Sequence, residues 1–346
     1  MKKIILLLLI GFFSFGLYGQ TGPGGVGNSD GANSQPEILF WLSADSLGLN
    51  NTDPVTLWSD ISGNGRDFTQ LTTGNQPTFL SSGINAIPTL QFDGTDDYLE
   101  DGDAENYIDG LSGVSVIAII QSNETASDAG FFDTEDPDGA DDLLTIRYDD
   151  DGASGGGDDV MKFGLNTSSG STSMESSALI QTTSPQMLTL QWNSGGTLNL
   201  YENGTLDSPT SSSSNLAGTI QNTAKAIIGR GPKDASNGWN GYVSEMILVG
   251  ENLSQARRNI IENYLSEKYN ITISNDLLTS LDAAYNNNVA GIGEESDGEH
   301  TTSASGGLYL TALSGLGVGD YVFSSHNNQS NNSSNFRTGS EITAAG

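Results

Sequence analysis

Short apolar runs that alternate with clusters of turn residues constrain this fold more than any other feature of the sequence. From Glu37 to about Gln191 the runs are only a few residues long, among them PTLQF, GVSVIAIIQ, LLTIRY and VMKFGL. Runs of this length are typical of β-strands, and the Gly, Asn, Asp and Ser between them favour tight turns. The pattern predicts an all-β protein, with Val114 to Ile120 as a strand covered on both faces.

The best-defined hairpin is MLTLQWNSGGTLNLYENGTL. Leu188, Leu190 and Trp192 alternate with polar residues, and SGG at 194–196 follows as a turn. The Asn203-Gly204 pair is typical of a type I′ turn, because both central residues of that turn need positive φ. The segment therefore predicts antiparallel strands joined by short turns.

A single strong helix is predicted in LSQARRNIIENYLSEKYN, with Ser254 as its N-cap. Its apolar stripe comprises Ala256, Ile260, Ile261, Tyr264 and Leu265. A lone amphipathic helix on a β-rich chain is expected to pack on a sheet or at its edge. Beyond ITIS the composition changes, so residues 275–346 are predicted to be a β-rich C-terminal module with a polar tail. The tail has no ending signal, and we expect the chain to be the front part of a longer protein.

The N-terminal MKKIILLLLIGFFSFGLYGQ predicts a secretory signal peptide over residues 1–19. Two lysines precede a short apolar core, and small residues near Gly19 favour cleavage before Gln20. Residues 20–36 are rich in Gly and polar residues and are predicted to be a flexible leader. The protein is thus expected to be secreted or displayed at the cell surface, with no membrane span in the mature chain.

Charge and cysteine content exclude several classes of function. The chain has 43 Asp plus Glu against 12 Lys plus Arg, a formal net charge of -31. Nucleic acid is excluded as a partner, because phosphate binding needs a basic face. There are no cysteines, so disulfides, thiolate metal sites and a catalytic cysteine are excluded.

Three blocks together resemble the laminin-G-like (LamG), concanavalin A-like lectin/glucanase group, and in particular secreted surface proteins of the Bacteroidetes type. They are LFWLSADS…VTLWSDISGNGRDFTQ, NAIPTLQFDGTDDYLE and WNGYVSEMILVGENLSQARRNIIENYLSEKYNITI. The resemblance implies a β-sandwich jelly roll over residues 37–274, with the helix at its C-terminal end. AYNNNVAGIGEE further resembles the start of a β-rich module of unknown function that follows such domains. The fold hosts lectins, glycan hydrolases and structural modules, so it does not fix the function.

The stretch SDISGNGRDF resembles the first half of a calcium loop. Asp60, Ser62, Asn64 and Gly65 match its early positions, but Leu71 stands where the bidentate Glu is required, so the EF-hand interpretation fails. Two interpretations remain open: Asp60 braces a turn through its own backbone, or several loops share a calcium ion. The candidate calcium ligands are Asp60, Asn64, Asp67, Asp93, Asp96 and Asp97. The acidic runs DTEDPDGADD and YDDDGASGGGDD could also contribute.

Aromatic side chains are the candidate sugar-binding residues, because sugar rings stack on exposed aromatic faces. Trp41, Trp58 and Trp192 lie in apolar or alternating runs and are predicted to be core residues. The candidate carbohydrate-binding residues are Trp239, Tyr98 and Tyr148. Trp239 lies in SNGWNGY just before a strand, and two interpretations stay open for it: a structural core residue, which is favoured, or a partly exposed ring.

A glycan hydrolase needs two carboxylates across the scissile bond. No Glu-x-Asp-x-Glu run lies on a predicted strand, and Glu245 is alone within its strand. We therefore assign no catalytic residues. The leading hypothesis is a non-catalytic module that binds a polysaccharide or glycoconjugate, or adheres to other surface proteins, with calcium as a candidate cofactor. The alternatives are a glycoside hydrolase or lyase (or its accessory module) and a structural spacer of a large surface protein.

Overall fold

The structure, a computed structural model, describes residues 22–135, 142–149, 159–231, 238–278, 287–305, 308–312, 315–326 and 336–339. The predicted signal peptide lies outside these residues. Contacts divide the chain into two compact units. One is Ser29–Leu253, called here the sandwich unit. The other joins Met1–Asn28 to Ser254–Gly346 and is called the second unit.

The sandwich unit is built almost entirely from strands. In chain order its elements are β1 (Ile38–Ser43), β2 (Leu57–Trp58), β3 (Phe68–Thr69), β4 (Thr78–Leu80), β5 (Thr89–Asp93), β6 (Leu99–Asp101), α1 (Glu105–Ile108), β7 (Gly113–Ser122), β8 (Ala129–Glu135), β9 (Asp142–Asp149), β10 (Val160–Thr167), β11 (Gly170–Glu175), β12 (Gln186–Asn193), β13 (Asn199–Glu202), β14 (Thr205–Leu206), β15 (Lys225–Ile228) and β16 (Asn240–Val249). Short 3-10 turns lie at Ala32–Ser34, Ala44–Ser46, Thr73–Asn75 and Ile84–Ala86.

These strands form two antiparallel sheets. The first has the order β14-β13-β12-β7-β16-β5-β4, and β1 also pairs with β16. The second has the order β11-β10-β9-β8-β15-β6-β3-β2. Neighbours in each sheet are often distant in sequence, as in the β16 to β7 pair, which is the connectivity of a sandwich rather than of a simple meander. The prediction of an all-β sandwich is confirmed.

Side-chain alternation places one hydrophobic core between the sheets. On β10 the core takes Met161, Phe163 and Leu165, whereas Lys162 between them lies outside it. On β7 every residue from Gly113 to Ile120 is buried, which confirms the strand predicted to be covered on both faces. Trp41, Trp58 and Trp192 are buried, as predicted.

The Asn203-Gly204 turn has the predicted geometry. Asn203 has φ 47° and Gly204 has φ 75°. The turn joins β13 to β14 with Glu202 opposite Thr205 and Tyr201 opposite Leu206. The Asn203 amide oxygen accepts a hydrogen bond from the Met187 N–H at 2.9 Å, which anchors the turn to β12.

The second unit contains the predicted helix. Its elements are a 3-10 turn (Pro23–Gly25), α2 (Gln255–Tyr269), β17 (Asn287–Glu295), β18 (Gly298–His300), β19 (Thr302–Ser305), β20 (Leu308–Thr311), β21 (Tyr321–His326) and β22 (Phe336–Gly339). The order β18-β17-β21-β22 forms one sheet, and β19 pairs with β20. Every residue of the predicted apolar stripe is buried. Ser254 stands at the N-cap position, but its side chain makes no capping hydrogen bond.

Two boundaries differ from those predicted. Contacts group α2 with the second unit, so the sandwich unit ends at Leu253 rather than at residue 274. Residues Pro23 to Val26, predicted as part of a flexible leader, are buried. Glycines allow this close packing: a Cβ on Gly25 would lie 1.9 Å from the Ser303 hydroxyl oxygen. The leader composition was therefore a poor guide to order at this position.

Among the described residues, no helix has both the length and the apolar character needed to cross a membrane.

Candidate functional site

The Asp60 carboxylate braces its own loop. One oxygen accepts hydrogen bonds from the N–H groups of Trp41 (2.9 Å) and Ser62 (2.8 Å). The other accepts from the Ser62 hydroxyl (2.8 Å) and the Arg66 N–H (3.1 Å). These four donors occupy the carboxylate, so the local interpretation of the calcium-like motif is the one that the geometry supports.

The other two candidates in this loop are also engaged with backbone. The Asn64 side-chain NH₂ donates to the Ile38 carbonyl at 2.8 Å, and the Asp67 carboxylate accepts from the Asp60 N–H at 2.8 Å. Arg66 donates to the Leu39 carbonyl at 2.8 Å. The loop is thus tied to β1, and within the described residues it joins no cluster of metal-ligating side chains.

The remaining predicted metal ligands do lie together. Asp93, Asp96 and Asp97 each offer a carboxylate oxygen, and these oxygens lie within 4.8 Å of one another. Asp93 accepts from the Thr95 N–H at 2.8 Å, and Asp97 accepts from the Asp93 N–H at 3.0 Å. Burial, and next the negative charge of Asp93, raise the pKa of Asp97 to about 7. A bound cation would therefore reduce the electrostatic repulsion among these carboxylates.

Two of the predicted sugar-stacking residues are inside the core. Trp239 is 0% exposed, and its ring lies 5.9 Å from Phe131 and 5.8 Å from Tyr148. Tyr148 is also 0% exposed, and burial raises the pKa of its hydroxyl far above the ordinary value. The assignment of Trp239 and Tyr148 as sugar-stacking residues is therefore wrong, and of the two interpretations of Trp239 the structural one holds. The composition of the neighbouring loops does not report whether a ring points into the core.

Tyr98 is partly exposed but its ring is already occupied. The guanidinium of Arg230 lies 3.7 Å from the ring centroid. The Tyr98 N–H donates to the Asn75 carbonyl at 3.1 Å, which fixes the base of the side chain. The structure thus presents an arginine stacked on a tyrosine at the place where sequence predicted a bare tyrosine.

Buried Tyr148 connects to a surface carboxylate through Gln186. The Tyr148 hydroxyl donates to the Gln186 amide oxygen at 2.8 Å. The Gln186 NH₂ then donates to Glu202 at 2.6 Å and to the Ile180 carbonyl at 2.9 Å. Gln186 is 1% exposed, so this chain of hydrogen bonds holds Glu202 from below.

Glu202 lines an open surface cleft of about 450 Å³ beside the β13–β14 hairpin, called here the hairpin cavity. Asp207 lies in the same wall, where it accepts from the Ser177 hydroxyl (2.6 Å) and the Ser177 N–H (2.9 Å). Leu206 contributes an apolar surface that is 53% exposed. The lining residues are Ser177, Glu202, Asn203, Thr205, Leu206, Asp207 and Ser208.

Sequence analysis did not predict this cavity, although it did predict the turn that forms one of its walls. The type I′ turn predicted at Asn203-Gly204 necessarily brings the residues on either side of it together, as Glu202 and Thr205 show. Ser177 comes from the segment after β11, and nothing local to the hairpin indicates it. The two carboxylates also lie outside any Glu-x-Asp-x-Glu pattern, so a search on that spacing does not find them.

Several other titratable groups in the described part of the chain make structural contacts. Glu245 is 1% exposed and accepts from the Trp41 indole N–H at 2.7 Å and the Ser43 hydroxyl at 3.1 Å. On the second sheet, Lys162 contacts both Asp149 and Glu175. In the second unit, burial lowers the pKa of His300 to about 4, and the charge of Arg257 adds to the effect.

No model of a protein family matches this chain, and no curated protein matches it. Solved structures are similar at 12–16% identity. One is domain 4 of a GH43 extracellular arabinanase from Geobacillus stearothermophilus, solved in complex with arabinotriose. It has 15% identity and a TM-score of 0.43 over 66% of this chain and 98% of that chain.

Two further similarities involve larger proteins. The sialidase of Trypanosoma rangeli, solved in complex with sialic acid, has 14% identity and a TM-score of 0.44, and the match covers 66% of this chain but only 33% of the sialidase. The binding domain of Paraclostridial mosquitocidal protein 1 has 12% identity and a TM-score of 0.48, over 89% of this chain and 68% of that one. The function of this chain must follow from its own residues.

Proposed function

We propose that this protein is an exported, non-catalytic module of the LamG-like, concanavalin A-like type that binds a glycan at the cell surface. The observation that carries the proposal is the hairpin cavity, in which Glu202 and Asp207 are held in place beside the exposed Leu206. Export rests on the N-terminal segment MKKIILLLLIGFFSFGLYGQ.

The chemistry of the cavity suits a sugar. A sugar presents hydroxyl groups at its edge and C–H groups on its face, so it needs both hydrogen-bonding and apolar partners. Carboxylates with hydrogen-bond donors already in place can still accept from sugar hydroxyls, because each ionised carboxylate has about four lone-pair sites. Leu206 offers an apolar surface, and Thr205 and Ser208 offer hydroxyls. Ligand sites typically combine few oriented polar groups with apolar contact.

A glycan array followed by calorimetry with the strongest binder tests the proposal. Glu202→Gln keeps an acceptor for Gln186 but removes the charge, and roughly tenfold weaker binding is expected because a hydrogen bond to a charged group contributes about 1.5–3 kcal/mol. Leu206→Ser should weaken binding by a smaller factor. The matched control is Leu71→Ser, since Leu71 is 83% exposed and far from the cavity lining in sequence.

Equal binding by the Glu202→Gln variant and the wild type would reject the hairpin cavity as the site. Failure of the wild type to bind any glycan, with and without calcium, would reject the glycan-binding function. That second outcome would favour a structural spacer of a larger surface protein, the alternative that needs no ligand.

We further propose that calcium binds at Asp93, Asp96 and Asp97. The support is their convergence within 4.8 Å and the raised pKa of Asp97. Calcium prefers hard oxygen ligands of this kind, although a complete site needs six to eight oxygens, with water or other groups completing the three carboxylates. Thermal unfolding in calcium against chelator should show a higher Tm with the ion, by mass action. The shift should disappear in Asp93→Asn; a shift of the same size in that variant, or no shift in the wild type, would exclude the site.

A glycoside hydrolase is the second candidate, and the single observation in its favour is that two carboxylates line one cavity. Hydrolysis would require one of them as the acid and the other as base or nucleophile. Release of reducing sugar from a bound polysaccharide, abolished in both Glu202→Gln and Asp207→Asn, would establish it. Binding without any release of reducing sugar would leave the non-catalytic proposal standing and exclude the enzyme.

A further inference from the structure

Arg230 is a cation without a carboxylate partner in the described part of a strongly acidic chain. Neither a hydrogen bond nor an ion pair engages its guanidinium there, and Nε is buried with no acceptor. By contrast, other basic side chains in the described part of the chain form ion pairs with carboxylates. The pairs are Arg66 with Glu37, Arg147 and Lys162 with Asp149, Lys225 with Glu100, and Arg258 with Glu262.

The guanidinium is nevertheless held in a defined place. Its centre lies 3.7 Å above the Tyr98 ring, which covers one face by a cation–π contact. In the described structure, none of the three aspartates of the adjacent cluster, Asp93, Asp96 and Asp97, forms an ion pair with Arg230.

Backbone hydrogen bonds hold the segment that precedes Arg230. Gly229 has φ 101°, its N–H donates to the Phe131 carbonyl at 3.0 Å, and its carbonyl accepts from the Trp239 N–H at 2.7 Å. Gly130 leaves room for this segment to lie against β8, since a Cβ there would be 2.4 Å from the Gly231 nitrogen. A side chain on a fixed base and a fixed aromatic ring loses little entropy when it binds a ligand.

We propose that Arg230, stacked on Tyr98, is a second binding site that recognises the carboxylate of an acidic saccharide, such as a uronic acid unit. The inference rests on the proposed glycan-binding function and gives it a ligand class. Arginine suits this role because its planar fork matches a carboxylate with two parallel hydrogen bonds. A ligand carboxylate would also supply the negative charge that Arg230 does not find among the described residues.

The overall charge of the chain further restricts the class of ligand that this site can bind. A formal net charge of -31 repels polyanions such as nucleic acid at long range. Screening limits that repulsion to about 8–10 Å at physiological salt, so a local arginine can still bind a single carboxylate. The ligand that fits is a saccharide with carboxylates spaced along an otherwise neutral surface.

The test compares glycans that differ only in charge. Calorimetry would use a neutral oligosaccharide that carries one galacturonic acid unit and the methyl ester of the same oligosaccharide, after an array of acidic and neutral glycans. Wild type should bind the free acid about tenfold to a hundredfold more tightly than the ester, which is the range expected for a charge-assisted hydrogen-bonded pair. Arg230→Gln should lose that preference, and Arg230→Lys should keep only part of it, because lysine lacks the planar fork.

The matched control is Lys225→Gln, which removes one positive charge from a side chain paired with Glu100 and Glu135. It should retain the preference for the acid. Equal binding of acid and ester by the wild type across the array, or an unchanged preference in Arg230→Gln, would overturn the inference while leaving glycan binding intact. Absence of binding to every glycan would overturn the proposed function and this inference together.

Discussion

Asp60 illustrates how the acids of this chain serve the fold at the scale of single residues. It accepts hydrogen bonds from three backbone N–H groups and one hydroxyl. Asp109 does the same for the N–H groups of Asn222 and Thr223, at 3.0 and 2.9 Å. Carboxylates of this kind stabilise turns because they satisfy donors that no strand partner reaches.

Asp60→Ala is expected to lower the free energy of unfolding by about 2–3 kcal/mol, because it leaves the N–H groups of Trp41, Ser62 and Arg66 without this acceptor. Urea denaturation measures the change. Asp53→Ala is the control: the Asp53 carboxylate accepts only from Asn50, at an exposed turn. A loss in Asp60→Ala no larger than in Asp53→Ala would contradict the brace.

Asp97 is expected to make the folded protein less stable as the pH rises, whereas an acid in a salt bridge has the opposite effect. The folded chain raises the pKa of this carboxyl from 3.8 to about 7, so the folded state holds the proton more tightly than the unfolded state. Its contribution to stability is present below pH 3.8 and is lost as the pH rises to about 7. In calcium-free buffer, Asp97→Asn should therefore be more stable than wild type at pH 8 and should lose that advantage at pH 4. Chemical denaturation at both pH values checks this, and a variant less stable at pH 8 would contradict it.

At the scale of elements, the turn of the β13–β14 hairpin sets the positions of residues that line the candidate binding site. The turn places Glu202 opposite Thr205, and the backbone N–H of Asp207 then donates to the Leu200 carbonyl at 2.8 Å. The positions of the Glu202 and Asp207 carboxylates thus depend on the backbone conformation of the turn residues Asn203 and Gly204. The position of the acids follows from the register of the hairpin rather than from their spacing in the sequence.

Gly204→Ala is expected to destabilise the protein by about 1 kcal/mol, since Gly204 has φ 75° and a Cβ is strained there. It should also weaken glycan binding, because the strain displaces Glu202 and Asp207. Calorimetry and urea denaturation measure the two effects. Gly164→Ala is the control, as a Cβ at that strand position meets only Thr145, at 3.8 Å. Unchanged binding in Gly204→Ala would show that the cavity does not depend on the turn.

At the scale of the whole molecule, the formal net charge of -31 is expected to set the salt dependence of stability. Like charges on one chain repel, and salt screens this repulsion over a Debye length of about 10 Å at 0.1 M. Sodium chloride should therefore raise the Tm at pH 8. At pH 4 the increase should shrink, because many carboxylates are then protonated. A Tm that falls with salt at pH 8 would contradict the prediction.

Much of the fold could be predicted from local patterns. Apolar patterning identified the all-β class, the fully covered strand β7 and the helix α2, and residue type identified the Asn203-Gly204 turn, because each of these depends on neighbours in sequence. The functional residues were harder to predict. The convergence of Asp93, Asp96 and Asp97 was within reach, since they lie on one turn.

What the sequence by itself determined is the class of fold, the turns and the negative charge, since side-chain alternation and backbone preference act over a few residues. Only the tertiary structure decided that Trp239 and Tyr148 are buried, that Ser177 meets Asp207, and that Arg230 stacks on Tyr98. The physical reason is that burial and pairing depend on which strands become neighbours across a sheet and on which face each side chain points to. Tyr98 and Arg230 are 132 positions apart and come together only because β6 and β15 pair in the second sheet, with Leu99 opposite Ile228.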